Sequence, residues 1–161
     1  MALSGRTISF LVIALIAALL IYTVYESTTG PGSVTTAVPT RFAVNGKSFT
    51  FTYAATTPQE RAEGLMNKKV TNSTTELFAF PSSGAWQFWM YDTNSSLDMI
   101  WVNSVGNSGK VVYVVTSAPP CYDRGACTVY TPDAAANYVI EAKAGFAAAN
   151  GITAGTPILF S

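Results

Sequence analysis

At the start of the chain apolar residues follow one another with no period. Residues 10–22 read FLVIALIAALLIY, thirteen aliphatic or aromatic side chains in a row. Extended to 8–25 the segment has eighteen residues, and only Ser9 and Thr23 interrupt it. As a helix it would span roughly 27 Å, close to the ~30 Å hydrocarbon core of a bilayer. It is apolar on every face, which predicts a lipid-facing helix and not a half-buried one. Arg6 precedes it and Glu26 follows it with no basic residue nearby. The positive-inside rule then places the N-terminus in the cytoplasm and the remainder outside. The exit, Thr23-Val24-Tyr25-Glu26, lacks the small residues that signal cleavage requires. Residues 1–25 therefore predict a retained single-pass signal anchor, with the domain held at the outer surface of the cell membrane.

Residues 26–40 (ESTTGPGSVTTAVPT) lose all hydrophobic periodicity and are rich in Thr, Gly and Pro. Such a segment cannot bury enough apolar surface to offset its ordering entropy, and it predicts a linker. From Arg41 the period becomes two. Phe42, Ala43 and Val44 precede Asn45-Gly46, after which Phe49, Phe51 and Tyr53 alternate strictly. This predicts a tight hairpin with three rings on one face. Thr57-Pro58-Gln59-Glu60 predicts a helix start, with Thr57 as cap, Pro58 in the first turn and Glu60 closing a capping box. Further strands are predicted at 77–80, 86–91, 97–102, 110–116 and 138–142, a short helix over 144–150, and a closing strand at 158–160. Pro81-Ser82-Ser83-Gly84 and the stretches 92–96 and 103–109 carry turn chemistry between them. Many short strands at regular spacing predict a mainly β sandwich or barrel with one or two short helices over 41–161.

Charge changes this picture by exclusion. Nine basic and nine acidic residues leave no net charge, and no basic footprint for nucleic acid is present. There is no histidine, which removes the usual general base near neutral pH and the commonest metal ligand. Cys121 and Cys127 lie in the turn-rich PPCYDRGACTVY and fit neither a metal site nor a redox C-x-x-C. In an exported domain they predict a local disulfide. Met66, Met90 and Met99 could offer soft copper ligands but fit core filling better. No metal and no cofactor is expected. Asn72-Ser73-Thr74 and Asn94-Ser95-Ser96 are glycosylation acceptors in predicted loops, given a host with the machinery.

Several stretches together resemble the domain of unknown function 192 family. They are Thr57 to Met66 (TPQERAEGLM), Leu77-Phe78-Ala79-Phe80, Phe88-Trp89-Met90-Tyr91-Asp92-Thr93, and Leu97-Asp98-Met99-Ile100. Pro119-Pro120-Cys121 and Tyr138-Val139-Ile140-Glu141 before Ala144-Gly145 continue the match in order. The resemblance implies a compact, jelly-roll-like β fold with short helices and carries no activity with it. The chain departs from the pattern at Asn67-Lys68-Lys69, Asp92, Ser96 and Thr128.

The candidate chemistry is that of a binding module. Trp86, Phe88, Trp89, Tyr91 and Trp101 are dense within a short span. On a strand Trp89 and Tyr91 would face away from Phe88 and Met90, leaving one aromatic pair for a ligand. Asp92 and Thr93 begin a turn beside them. Asp98 interrupts an apolar run and needs a partner, for which Arg61 is the expectation. The predicted ligand site is thus Trp89, Tyr91, Asp92, Thr93 and Asp98, close to Glu60 and Arg61 on the short helix. A glycan, a peptide or a membrane-protein partner would suit it, beside the membrane itself. The alternatives are a cell-envelope hydrolase acting through paired carboxylates such as Asp92 and Asp98, or a pilin-like structural subunit of a membrane complex.

Overall fold

The computed structural model describes residues 37–161. The predicted membrane helix at 8–25, and the linker up to residue 36, lie outside the described residues. Among the described residues no helix is long and apolar enough to cross a membrane.

The alternating segments form eight strands: β1 Arg41–Val44, β2 Lys47–Thr50, β3 Tyr53–Ala55, β4 Thr75–Gly84, β5 Leu97–Val105, β6 Ser108–Ala118, β7 Ala136–Lys143 and β8 Pro157–Phe160. Two short helices interrupt them, α1 Pro58–Glu63 and α2 Phe146–Ala149. All eight strands belong to one sheet, in the order β2-β1-β8-β6-β5-β7-β4-β3. The fold is mainly β, as the spacing predicts, but it is one curled sheet and not two stacked ones. Its end strands, β2 and β3, are consecutive in sequence, joined only by Phe51 and Thr52. Two linking residues cannot span an open sheet, since each adds at most about 3.6 Å. The sheet therefore curls until its two ends approach.

Local signals decide the elements. Asn45 and Gly46 both take positive φ (48° and 78°), the turn that the Asn-Gly pair favours between β1 and β2. Thr57 Oγ1 accepts from the Glu60 amide, and the Glu60 carboxylate accepts from the Thr57 amide, completing the capping box of α1. The predicted ring face is only partly kept. Phe49 and Phe51 stack on Phe42, with centroids 5.1 and 4.9 Å away. Tyr53 leaves them, because the bend at Thr52 carries it to the opposite edge of the sheet as β3. Pro81 to Gly84, read as a turn, instead extends β4 through a register shift.

Both faces of the sheet are buried. On one, Phe42, Leu77, Ile100, Val102, Ile140 and Ile158 form a core against α2. On the other, Phe78, Met99, Trp101 and Val139 pack under Leu65, Phe88 and Met90. Met90 and Met99 are thus core residues. Residues 86–91 do not form a strand of the sheet. They run extended across this second face, tied by single bridges of Phe88 to Tyr130 and Tyr91 to Cys121. The Trp101 indole N–H donates to the Trp86 carbonyl at 2.9 Å and pins the segment to β5. Cys121 and Cys127 are joined by a disulfide.

Candidate functional site

The second face of the sheet carries two glutamates inside apolar strands. β4 and β7 are antiparallel, with Glu76 directly opposite Glu141. Alternation puts both on the face of Phe78 and Val139, where cross-strand Cβ atoms lie about 5 Å apart. Glu76 is only 2% exposed and Glu141 only 4%. Lys68, just beyond α1, sets its Nζ 3.7 Å from Glu76 Oε1 and over the Tyr53 ring. Glu76 Oε2 is buried with no hydrogen-bond partner. Among the described residues Glu141 is in no ion pair and accepts no hydrogen bond, and its oxygens are not enclosed as Glu76 Oε2 is.

Burial sets the electrostatics. It raises Glu141 from 4.5 to about 8, helped by the neighbouring Glu76 and opposed by Lys68. It raises Glu76 to about 7, opposed by Lys68 and helped by Glu63 and Glu60. Near neutral pH the pair therefore holds protons that ordinary carboxyls would have lost.

Glu141 is not sealed in. It lines an open cleft of about 350 Å³, between α1 with its C-terminal turn and residues 87–93. Arg61, Leu65 and Met66 stand on one side, and Phe88, Trp89 and Thr93 on the other. Gly64 makes this close approach possible. Its φ of +48° suits glycine, and a Cβ there would meet the Phe78 ring at 3.1 Å.

The sequence-predicted site residues divide into four groups. Trp89, Thr93 and Arg61 line the cleft. Trp89 is half-buried, while its neighbours Phe88 and Met90 pack inward. Tyr91 and Asp92 lie beyond the cleft lining, against the disulfide loop. The Asp92 amide donates to the Cys121 carbonyl at 2.9 Å, and Arg124 lies over the Trp89 and Tyr91 rings. Glu60 is committed to capping α1, where bonds from the Thr56 and Thr57 amides lower it to about 2.

Asp98 is on the other face of the sheet and does not pair with Arg61. Alternation along β5 places it with Ile100 and Val102, fully buried. Its two oxygens accept from the amides of Ser117 and Ala147, each at 2.8 Å. Arg61 donates to the carbonyls of Thr56 and Ala79 and stacks over Phe80. Asp92 and Asp98 are thus no catalytic pair, since Asp98 presents nothing to solvent.

Glu76 and Glu141 were not among the predicted residues. The available signal was a carboxylate inside an apolar strand, in Thr75-Glu76-Leu77-Phe78 and in Val139-Ile140-Glu141-Ala142. Asn72 and Asn94 are both exposed, Asn72 in a turn and Asn94 in a loop.

These features define a mainly β domain with one acid-floored cleft on the face covered by α1. The sequence profile of DUF192, described as an uncharacterized ACR, matches residues 40–160. The chain belongs to that family. No match is found among curated proteins. Two crystal structures resemble the fold. One is of a proposed transcription regulator from Sinorhizobium meliloti 1021, 23% identical, with a TM-score of 0.63 over 74% of this chain and 90% of that one. The other is of a protein of unknown function from Novosphingobium aromaticivorans DSM 12444, 27% identical, with a TM-score of 0.62 over 75% and 83%.

Proposed function

We propose that this chain is a non-catalytic binding module, tethered to the membrane by residues 8–25, that takes its ligand in the cleft above Glu141. One observation carries the reading. A carboxylate that is almost wholly buried, and has no partner among the described residues, opens into a cleft walled by Trp89 and Phe88. Leaving such a group unsatisfied costs free energy, and a ligand donor removes that cost. The Cys121–Cys127 disulfide and the Arg6/Glu26 asymmetry both support a location outside the cytoplasm.

The hydrolase reading is favoured by one finding, the cross-strand pair of Glu76 and Glu141. It needs both carboxyls to flank the scissile bond. Only Glu141 reaches the cleft lining, while Glu76 lies beneath it against Lys68. Pairing of this kind suits ligand recognition better than bond cleavage. The 23% likeness to the proposed regulator carries the fold alone.

The test uses the full chain in mild detergent, screened by thermal shift against soluble glycans, short peptides and amines. A ligand should raise Tm in wild type and fail to do so in Trp89→Ala, whose own Tm should stay close to wild type. Collapse of the fold in Trp89→Ala overturns the site, and Glu141-dependent cleavage of chromogenic glycosides overturns the non-catalytic reading. Protease added to wall-stripped cells should remove the domain, and full protection overturns the tether topology.

A further inference from the structure

Not every acid at the cleft has a cation of its own. Three acids lie in or beneath the cleft: Glu63 from α1, Glu76 from β4 and Glu141 from β7. Three cations stand around it, and Arg124 is engaged with the Trp89 and Tyr91 rings. Arg61 is engaged with two backbone carbonyls and the Phe80 ring. Lys68 is engaged with Glu76, with the Tyr53 ring beneath it. Glu60 is satisfied by the amides it caps. Glu141 alone is buried, open to the cleft and without a cation or a donor.

Resting on the cleft reading above, we infer that the ligand is an organic cation, a primary ammonium or guanidinium group that sits on Glu141 against the Trp89 and Phe88 rings. When Glu141 ionises, the partner it lacks is one positive charge, and one cationic head supplies it together with two or more N–H donors. The aromatic wall favours the same chemistry, since ring faces attract ammonium and guanidinium groups and Trp89 already takes Arg124 over one of its faces. A divalent metal fits poorly. Hard cations take six or more oxygens, and among the described residues no three acidic, Cys or His side chains are grouped to hold one. A sugar hydroxyl could bond to the protonated Glu141 but supplies no charge to draw its proton off.

The cation also couples binding to protons. With Glu141 raised to about 8, binding at pH 7 must displace a proton. Affinity for the cation should therefore rise about tenfold per pH unit between pH 6 and 7.5, and level off above pH 8.

The probes are butylamine, an Nα-acetyl-lysine amide peptide, its Nε-acetylated form, methyl glucoside and calcium chloride. Each is titrated by calorimetry into the full chain in nanodiscs of uncharged lipid. The cations should bind wild type with release of about one proton at pH 7. They should bind Glu141→Gln and Trp89→Ala at least tenfold more weakly. Both variants are checked for native circular dichroism. Equal binding of butylamine and the lysine peptide indicates a free amine as ligand, and binding of the peptide alone indicates a basic peptide. Equal binding of the Nε-acetylated peptide, or Glu141-dependent binding of methyl glucoside or calcium, overturns the cation assignment and leaves the cleft reading standing. Cation binding that survives Glu141→Gln undiminished overturns the assignment as well. If no probe binds in a Glu141- or Trp89-dependent way, both readings fall.

Discussion

Replacing Glu141 with glutamine removes one charge and almost no volume. In the fold that charge is the costly form, because burial first, and Glu76 second, raises the carboxyl from 4.5 to about 8. The sign follows from linkage. A group whose pKa is higher folded than unfolded gives its full stability below the unfolded value, and loses it as pH rises through the folded one. The window is therefore pH 4.5 to 8, and within it the wild-type domain should lose stability. Each pH unit of displacement is worth about 1.4 kcal/mol, so the whole is roughly 3–5 kcal/mol once relaxation around the charge is allowed for. Glu76 contributes in the same direction over a narrower span, up to about 7. Urea unfolding of the full chain in mild detergent at pH 5, 6, 7 and 8 reads the effect directly. Glu141→Gln should match wild type near pH 5, exceed it by several kcal/mol at pH 8, and show a flatter profile. Parallel profiles for the two proteins would falsify the account of Glu141 as a buried, unpartnered acid.

Asp98→Ala should cost roughly 3–5 kcal/mol, because it orphans the amides of Ser117 and Ala147; a loss below about 1 kcal/mol by urea unfolding contradicts that. Gly64→Ala should destabilise by about 1–3 kcal/mol from its positive φ and the contact with Phe78, read as a lowered urea midpoint. Reducing Cys121–Cys127 opens a short loop and should cost about 2 kcal/mol, with intact mass rising by two hydrogens. Glycopeptide mapping of natively produced protein should find sugar on Asn72 or Asn94 where the host glycosylates exported sequons; unmodified Asn at both ends that expectation.

Much of the domain was legible because local chemistry decides it. Asn45-Gly46, the Thr57–Glu60 capping box, the apolar runs of β5 and β7 and the paired cysteines all act within a few residues. The parts that sequence reading missed depend on distant partners. Residues 86–91 alternate like a strand, yet their backbone meets Tyr130 and Cys121 through single bridges and not a continuous ladder. Nothing local separates those two outcomes. Asp98 was rightly read as a buried acid in need of partners, but its partners are backbone amides remote in sequence. Glu141 interrupts an apolar run just as Asp98 does. What separates their roles is which face of the sheet each occupies and what covers it, and register across β4, β5 and β7 decides that.

The short link between β2 and β3 bears on how this protein behaves in a crowd. A sheet with open ends offers unpaired backbone that can recruit a strand from another molecule. Here the end strands have only four and three residues, and the chain itself steps from one to the other. The Thr75 hydroxyl donates to the Thr50 carbonyl, and the Thr52 amide donates to the Thr75 carbonyl, stitching the seam. Little edge remains for a neighbouring copy to extend. If the proposed tether concentrates the domain on a surface, the domain gains from that, because strand exchange between adjacent copies is denied its template.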